Sequence, residues 1–176
     1  MKKTKNSFKE RIKSFVFYLF VILLVLYISV ESFIPTKTVE IFGFKPYTVI
    51  TDSMDPKLVD GDLILVKKPN FDEIDEFDII TFHTIVDEED MIITHFVYSV
   101  TSVNGVREYR TNGYNEKIDD WVLHDEDILG VYIFKIPVLG TVAKFLKTPY
   151  GVIVLLINLG VFISIIFLLK NDKTKE

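Results

Sequence analysis

The 176-residue sequence contains no cysteine. This absence excludes a thiol nucleophile and a disulfide framework. It therefore also excludes a sortase-type surface enzyme, which uses a thiol nucleophile. Acidic residues outnumber basic ones by 25 to 20, which leaves a net charge of −5. An acidic surface repels the phosphates of nucleic acids, so the composition argues against a nucleic-acid partner.

Charge is missing from two stretches of the chain, residues 14–30 and residues 148–169. Each is close to the ~20 apolar residues with which a helix crosses a bilayer. A cleaved signal peptide is the alternative for the first stretch, but the residues that follow it, Glu-Ser-Phe, contain no small-x-small cleavage pattern. A buried core helix is the alternative for the second, although it would be unusually long and apolar for so small a domain. We predict transmembrane helices at residues 14–35 and 148–169.

The distribution of basic residues predicts how these spans are oriented. Residues 1–13 carry six basic residues and one acid, residues 170–176 have a net charge of +1, and the remainder has a net charge of −11. Basic flanks stay in the cytoplasm. We therefore predict a basic cytoplasmic N-terminus at residues 1–13, a cytoplasmic tail at residues 170–176 and an extracytoplasmic catalytic domain at residues 36–147. The predicted location is the cell membrane, with two spans.

The predicted outer domain consists mostly of strands. Short runs of β-branched and aromatic residues alternate with turn signals, and no long amphipathic helical pattern lies between them. These runs occupy residues 38–44, 63–66, 77–82 and 128–134. We predict a mainly β fold, a small antiparallel sheet or partial barrel that the two transmembrane helices hold at the membrane.

One hairpin is predicted together with its register. Asn104-Gly105 is a strong two-residue turn signal, and it lies between two apolar runs. If the residues that flank this turn pair with each other, His95 lies across from Tyr114. A β-bulge would shift this pairing by one residue. Either register brings the strand that carries His95 to the start of an acid-rich segment.

Three histidines could act as a general base: His83, His95 and His124. A base is needed because a serine hydroxyl is a poor nucleophile until its proton is accepted. His83 could instead be a solvated strand end, and His124 a loop residue. His95 lies in the apolar run Ile-Ile-Thr-His-Phe-Val, where the alternative is a hydrogen-bonded core histidine. Composition alone does not choose among the three.

Residues 51–56, Thr-Asp-Ser-Met-Asp-Pro, lie shortly after the first predicted span. They resemble the nucleophile box of the type I signal peptidases, Ser-Gly-Ser-Met-x-Pro. Ser53, Met54 and Pro56 match this box, whereas Thr51 and Asp52 replace its first serine and its glycine. The resemblance implies that Ser53 is the catalytic nucleophile.

The segment around His95 resembles the Ser-His class of these enzymes, which occurs in the endoplasmic reticulum, in archaea and in a branch of Gram-positive bacteria. His95 stands 42 residues after Ser53, a spacing similar to that of the Thr/Val-His-Arg motif of this class. Phe96 replaces the arginine of the motif. The nearest lysines after the box, Lys67 and Lys68, come too early for the Ser-Lys class.

Residues 113–120, Gly-Tyr-Asn-Glu-Lys-Ile-Asp-Asp, resemble the Gly-Asp-Asn-Asn-x-x-Asp-Asp motif of the same class without a gap. The resemblance puts Asp120 on the catalytic aspartate of the family and Asp119 on its neighbour, in a supporting role. Tyr114 and Glu116 depart from the motif. The alternative interpretation of the two aspartates is a solvated turn.

The resemblance implies a membrane-bound serine endopeptidase that removes signal peptides from exported preproteins and cuts after Ala-x-Ala. In the implied mechanism His95 deprotonates Ser53, Asp120 orients His95, and the Ser53 N–H and the Thr51 hydroxyl stabilise the oxyanion. We expect no metal and no other cofactor, since the histidines and acids do not show zinc-ligand spacing. The expected partners are signal peptides, membrane lipid and the translocation machinery, and not nucleic acid.

Two other functions remain open at this stage. A catalytically degenerate relative, acting as an anchored binding or scaffold protein, would account for the departures at Asp52, Phe96 and Tyr114. An unrelated surface protein would carry the motifs by chance. The two differ in what they predict, because chance motifs would not bring Ser53, His95 and Asp120 together in the folded chain.

Overall fold

The structure, a computed structural model, describes residues 3–114 and 116–172. Residues 1–2 of the predicted basic N-terminus, residue 115 of the acid-rich segment and residues 173–176 of the predicted tail lie outside this description. The described elements, in chain order, are α1 (Lys3–Phe33), α2 (Thr38–Phe42), β1 (Phe44–Thr48), β2 (Leu63–Lys67), β3 (Ile79–Val86), β4 (Glu89–Val103), β5 (Val106–Asn112), β6 (Ile128–Ile136), α3 (Leu139–Leu146) and α4 (Pro149–Asp172), with short 3₁₀ turns at Pro35–Lys37, Phe71–Glu73 and Asp125–Asp127.

The six strands form one antiparallel sheet in the order β1-β2-β6-β3-β4-β5. The predicted mainly β, antiparallel fold is confirmed at this level, and the predicted strands at residues 63–66 and 128–134 correspond to β2 and β6. Strand β1 lies at the edge of the sheet. Its Pro46 is tolerated there because an edge strand can leave one side without N–H donors.

The predicted strand at residues 38–44 is wrong over most of its length, because Thr38–Phe42 forms the short helix α2. The hydroxyl of Thr38 donates a hydrogen bond to Glu31 at the end of α1, at 2.6 Å. Val39 is buried in the core, and Gly43 ends the helix with a φ of 79°. These tertiary contacts override the β-branched composition on which the prediction rested.

The predicted hairpin is confirmed, and the bulge that the prediction allowed for is present. Val103 pairs with Val106 across the turn, and the same register continues along both strands as far as Ser99. It then shifts by one residue, so that Phe96 pairs with Asn112. A bulge of this kind re-aims the side chains that follow it. This one-residue shift in register determines on which face of the sheet His95 lies relative to the side chains of β5.

Two clusters of buried apolar side chains form the core. One lies under β3, β4 and β5 and includes Phe82, Val97 and Tyr109. The other lies under β1 and β2 and includes Met54 and Leu58 from the segment between these strands. The second cluster matters for the site, because Met54 is next to Ser53 in the chain.

One described helix is long and apolar enough to cross a membrane by itself. This is α1, whose segment Arg11–Phe33 has a mean hydropathy of 2.3 and is not buried against the rest of the chain. An N-terminal membrane anchor and a signal sequence both fit these properties. The second predicted span is less clear, since α3 and the first part of α4 qualify only as a pair, with a bend of 89° between them.

Candidate active site

Ser53 lies in a turn between β1 and β2 whose ends are held by the protein core. Met54 is 2% exposed and Leu58 is fully buried. The backbone N–H of Leu58 donates to the carbonyl oxygen of Met54 at 2.9 Å, which closes the turn. Burial of Met54 and Leu58 favours this turn, because the polar residues that precede Met54 then face outward. Ser53 is therefore carried on a short segment that is fixed immediately after it.

His95 brings an imidazole nitrogen to the hydroxyl of Ser53. Its Nε2 lies 3.1 Å from Ser53 Oγ, and its side chain is 6% exposed. It is positioned by β4, which pairs on one side with β3, where Ile80 is its partner. Two aromatic rings surround it: Phe82 packs edge-on and Trp121 lies nearly parallel, with ring centroids 6.3 Å away in both cases. The two residues that sequence comparison singled out thus converge.

The carboxylate that contacts His95 belongs to Asp119. Asp119 Oδ2 lies 2.8 Å from His95 Nδ1, and this side chain is 10% exposed. Asp120, which the sequence alignment put in this position, is exposed, and only its backbone carbonyl contacts the neighbouring strand, through Arg110. The geometry thus places the carboxylate of Asp119, and not that of Asp120, against His95. The physical reason is the backbone bond from the Asp119 N–H to the Thr111 carbonyl, at 2.9 Å, which turns this residue toward β5.

The hydrogen-bond partners determine which nitrogen of His95 carries the proton. An ionised carboxylate can only accept, so beside Asp119 the imidazole donates from Nδ1. In the neutral ring, Nε2 is then left with its lone pair and accepts a hydrogen bond from the Ser53 hydroxyl. This is the arrangement that a general base requires in order to activate a serine.

Possible oxyanion donors surround the same hydroxyl. Thr51 Oγ1 lies 3.3 Å from Ser53 Oγ. Within the described residues, the backbone N–H of Ser53 has no intramolecular acceptor. Both groups that the sequence resemblance named as donors are therefore near the nucleophile, and neither is committed to a strong internal bond.

The remaining histidines lie away from Ser53. His83 is half-exposed near Asp90 and lines a separate cavity of about 630 Å³ together with Tyr47 and Phe71. His124 caps the 3₁₀ turn Asp125–Asp127. The geometry thus selects His95 among the three candidates.

Four residues to which sequence reasoning assigned no role help to build this site. Gly113 and Tyr114 pack against the nucleophile turn, and the Tyr114 N–H donates to the Ser53 carbonyl oxygen at 2.8 Å. Thr111 and Trp121 are hydrogen-bonded to each other, and Thr111 is hydrogen-bonded to Asp119. The bulge-corrected hairpin register could have indicated Thr111. Trp121 had no signal beyond being the single tryptophan of the chain.

Of the comparisons with known proteins, one identifies a family. A search among curated proteins found no match. The family model described as signal peptidase, peptidase S26, matches residues 11–105. The matched region begins in α1 and contains both Ser53 and His95, but it ends before Asp119. The chain belongs to the peptidase S26 family of signal peptidases, as a type I signal peptidase.

Proposed function

We propose that this protein is a membrane-bound serine endopeptidase of the Ser-His class, which removes N-terminal signal peptides from exported preproteins. The observation that carries this proposal is the continuous contact from Ser53 Oγ to His95 Nε2 and from His95 Nδ1 to Asp119 Oδ2. It has the order nucleophile, base, orienting carboxylate that serine acyl transfer requires. A degenerate relative would be expected to lack one of these three groups.

In the proposed mechanism His95 accepts the proton of Ser53 as its oxygen attacks the scissile carbonyl. Asp119 holds the imidazole in the required tautomer and stabilises the imidazolium that forms. The Ser53 N–H and the Thr51 hydroxyl donate to the oxyanion. The imidazolium then returns its proton to the leaving amine, and water hydrolyses the acyl-enzyme with His95 again as the base.

The substrate is proposed to bind as an added strand. Two backbone edges near Ser53 have no partner within the described residues: the outer edge of β1, and the part of β4 that extends beyond β5, which includes Ile92–Thr94. An extended peptide can use such edges for main-chain hydrogen bonds. Small side chains of an Ala-x-Ala sequence would then face the site at alternate positions.

The proposed membrane frame consists of α1 and α4 as two spans, with both termini in the cytoplasm and the sheet outside. The basic N-terminal residues and the acidic charge between the spans support this orientation. Reporter fusions after Lys13 and after Glu176 should report the cytoplasm, and a fusion near Pro69 should report the outside. A cytoplasmic signal near Pro69 would contradict the proposed orientation.

The function itself is tested by cleavage of a labelled preprotein with the detergent-purified enzyme. The wild type should release the signal peptide by a cut after Ala-x-Ala, as mass spectrometry of both products would show. The Ser53→Ala variant should produce no cleavage while it keeps the wild-type melting temperature. Equal cleavage by both proteins would refute the proposal, and so would inactivity of the wild type on several preproteins.

A further inference from the structure

Asp119 is held by Thr111 at both its backbone and its side chain. The Asp119 N–H donates to the Thr111 carbonyl oxygen at 2.9 Å, and the Thr111 hydroxyl lies 2.6 Å from Asp119 Oδ2. Thr111 is fully buried on β5. On its other side, the Thr111 oxygen is 2.9 Å from the indole nitrogen of Trp121. One threonine thus connects the carboxylate to the single tryptophan of the chain.

The direction of these hydrogen bonds follows from the chemistry of the groups. An indole N–H can only donate, so the Thr111 oxygen accepts from Trp121. A threonine hydroxyl has one hydrogen, and that hydrogen is left to point at Asp119. The carboxylate oxygen Oδ2 therefore receives two donors, the Thr111 hydroxyl and His95 Nδ1.

Trp121 also reaches the other end of the arrangement. The plane of its ring lies at 29° to the imidazole of His95 with a centroid distance of 6.3 Å, and its centroid is 6.0 Å from that of the Phe82 ring. The contacts Trp121–Thr111, Thr111–Asp119, Asp119–His95 and His95–Trp121 form a closed ring of four side chains. A closed ring leaves each member little freedom to rotate, because moving one breaks two contacts.

We infer that Thr111 and Trp121 are positioning residues of this site, which act through Asp119 to keep His95 aimed at Ser53. The inference rests on the proposed function. A carboxylate that is 10% exposed requires hydrogen-bond donors in place of water. Thr111 supplies one, and Trp121 prevents the Thr111 hydroxyl from turning away. Neither residue is hydrogen-bonded to Ser53.

The first test uses the full-length enzyme in detergent and a short Ala-x-Ala peptide. Thr111→Val keeps the shape of the side chain and removes the hydroxyl. Because a hydrogen bond to a charged group is lost, kcat should fall by about 10- to 100-fold, whereas KM should change little. Thr111→Ser retains the hydroxyl and should recover most of the activity. Trp121→Phe keeps an aromatic ring beside His95 and should have a smaller effect than Thr111→Val.

A structural role has to be separated from a positioning role, since a buried threonine can also contribute to stability. Thr81→Val is the matched control. Thr81 is fully buried on the adjacent region of the sheet, and its hydroxyl bonds the Thr94 hydroxyl at 2.8 Å, without contact to Asp119. We expect this variant to lose thermal stability in the same way and to keep kcat within about twofold of the wild type. If Thr81→Val and Thr111→Val reduce kcat equally, the positioning role is refuted.

The decisive test is non-additivity. If Thr111 acts only through the Asp119 carboxylate, Thr111→Val should have no further effect on kcat once Asp119 is replaced by asparagine. The same loss in both backgrounds would overturn the inference. Comparison of these variants also distinguishes failure of this inference from failure of the proposed function. Inactive Ser53→Ala and Asp119→Asn enzymes with a fully active Thr111→Val enzyme would refute this inference alone, whereas a fully active Ser53→Ala enzyme would refute the proposed function.

Discussion

Tyr114 donates its backbone N–H to the carbonyl oxygen of Ser53 at 2.8 Å, which joins the segment after β5 to the turn that carries the nucleophile. Asp119 lies further along the same segment, and its carboxylate contacts His95. The turn that carries the nucleophile and the segment that carries Asp119 are therefore joined by a backbone hydrogen bond. Changes at this connection should alter activity even where they leave all three catalytic candidates in place.

Gly113 is the first residue at which this can be tested. An ideal Cβ there would lie 2.6 Å from the Ser53 carbonyl oxygen, closer than real Cβ atoms approach. Gly113→Ala should therefore displace the Ser53 turn, and a displacement of about 1 Å at a reacting group can cost roughly 10²-fold in rate. The measurement is kcat on an Ala-x-Ala peptide. Gly105→Asn at the distant hairpin turn is the control, because nothing lies near that position and Asn tolerates its positive φ.

The contact of His95 with Asp119, and not with Asp120, gives a second prediction. Asp119→Asn should reduce kcat by about 10⁴-fold, since an amide in this position favours the wrong tautomer of the histidine. Asp120→Asn should stay within about twofold of the wild type, because this side chain is exposed. Circular dichroism should show both variants folded. The opposite order of activities would restore the assignment made from the sequence alignment.

A third prediction concerns the three histidines. His95→Ala should abolish cleavage, because the only base in contact with Ser53 in the described structure is removed. His83→Ala and His124→Ala should keep most of the activity. The His124 variant should also keep the wild-type melting temperature, since the hydrogen bonds at the 3₁₀ turn use the backbone N–H and carbonyl oxygen of His124. Loss of cleavage in a folded His83→Ala enzyme would contradict the assigned base.

The ion pair between Arg107 and Asp125 predicts a pH dependence of stability. Hydrogen bonds from the Arg107 guanidinium hold the pKa of Asp125 below its ordinary value, although partial burial opposes this shift. Tyr109 also donates to this carboxylate, at 2.8 Å. Because the folded pKa is depressed, the stabilisation is present above the ordinary aspartate pKa of about 4 and is lost as the pH falls through the folded value.

Asp125→Asn should therefore lower the melting temperature at pH 7 and leave peptide cleavage near the wild-type rate. The difference in melting temperature should shrink as the pH is lowered below about 4, because the wild-type carboxylate is then protonated too. Thermal denaturation at several pH values measures this. A difference that stays constant down to the lowest pH would show that the ion pair is not its source.

A fifth prediction concerns the contact between α1 and the sheet. Lys45, on β1, is 7% exposed and forms an ion pair with Glu31 at 2.9 Å, near the end of α1. Its ammonium group also donates to the carbonyl oxygen of Pro35. Burial, together with the negative charge of Glu31, raises the pKa of the neighbouring Tyr47 to about 12. The two contacts of Lys45 attach the end of α1 to the edge strand of the sheet.

Lys45→Met should loosen the attachment of α1 to the sheet. We therefore expect cleavage of a membrane-embedded preprotein to fall several-fold more than cleavage of a short peptide. The comparison requires the enzyme in vesicles for the preprotein and in detergent for the peptide. Lys37→Met is the control, since it removes an exposed pair with Glu40 in the same segment. Equal loss on both substrates would mean that the pair stabilises the domain instead of orienting it.

Local sequence determined much of this protein. The Asn-Gly turn fixes the register of the hairpin, because a two-residue turn with positive φ at both residues allows the flanking strands to pair in one way. The uncharged first stretch becomes the long helix α1, since its apolar residues favour continuous backbone hydrogen bonding. The nucleophile box and His95 could be found from residue types and spacing, and the fold brings these two residues together.

Tertiary structure decided what depends on contacts between distant segments. Residues 38–42 have strand-forming side chains, yet a hydrogen bond to Glu31 and burial of Val39 make them a helix. Asp119 and Asp120 are chemically identical neighbours, and side chains of adjacent residues point in different directions. Which of them meets His95 depends on the bulge in β4 and on the bond from Asp119 to Thr111, neither of which a local pattern encodes. The positions of Thr111 and Trp121 behind the carboxylate follow from the same register, so only the folded chain reveals them.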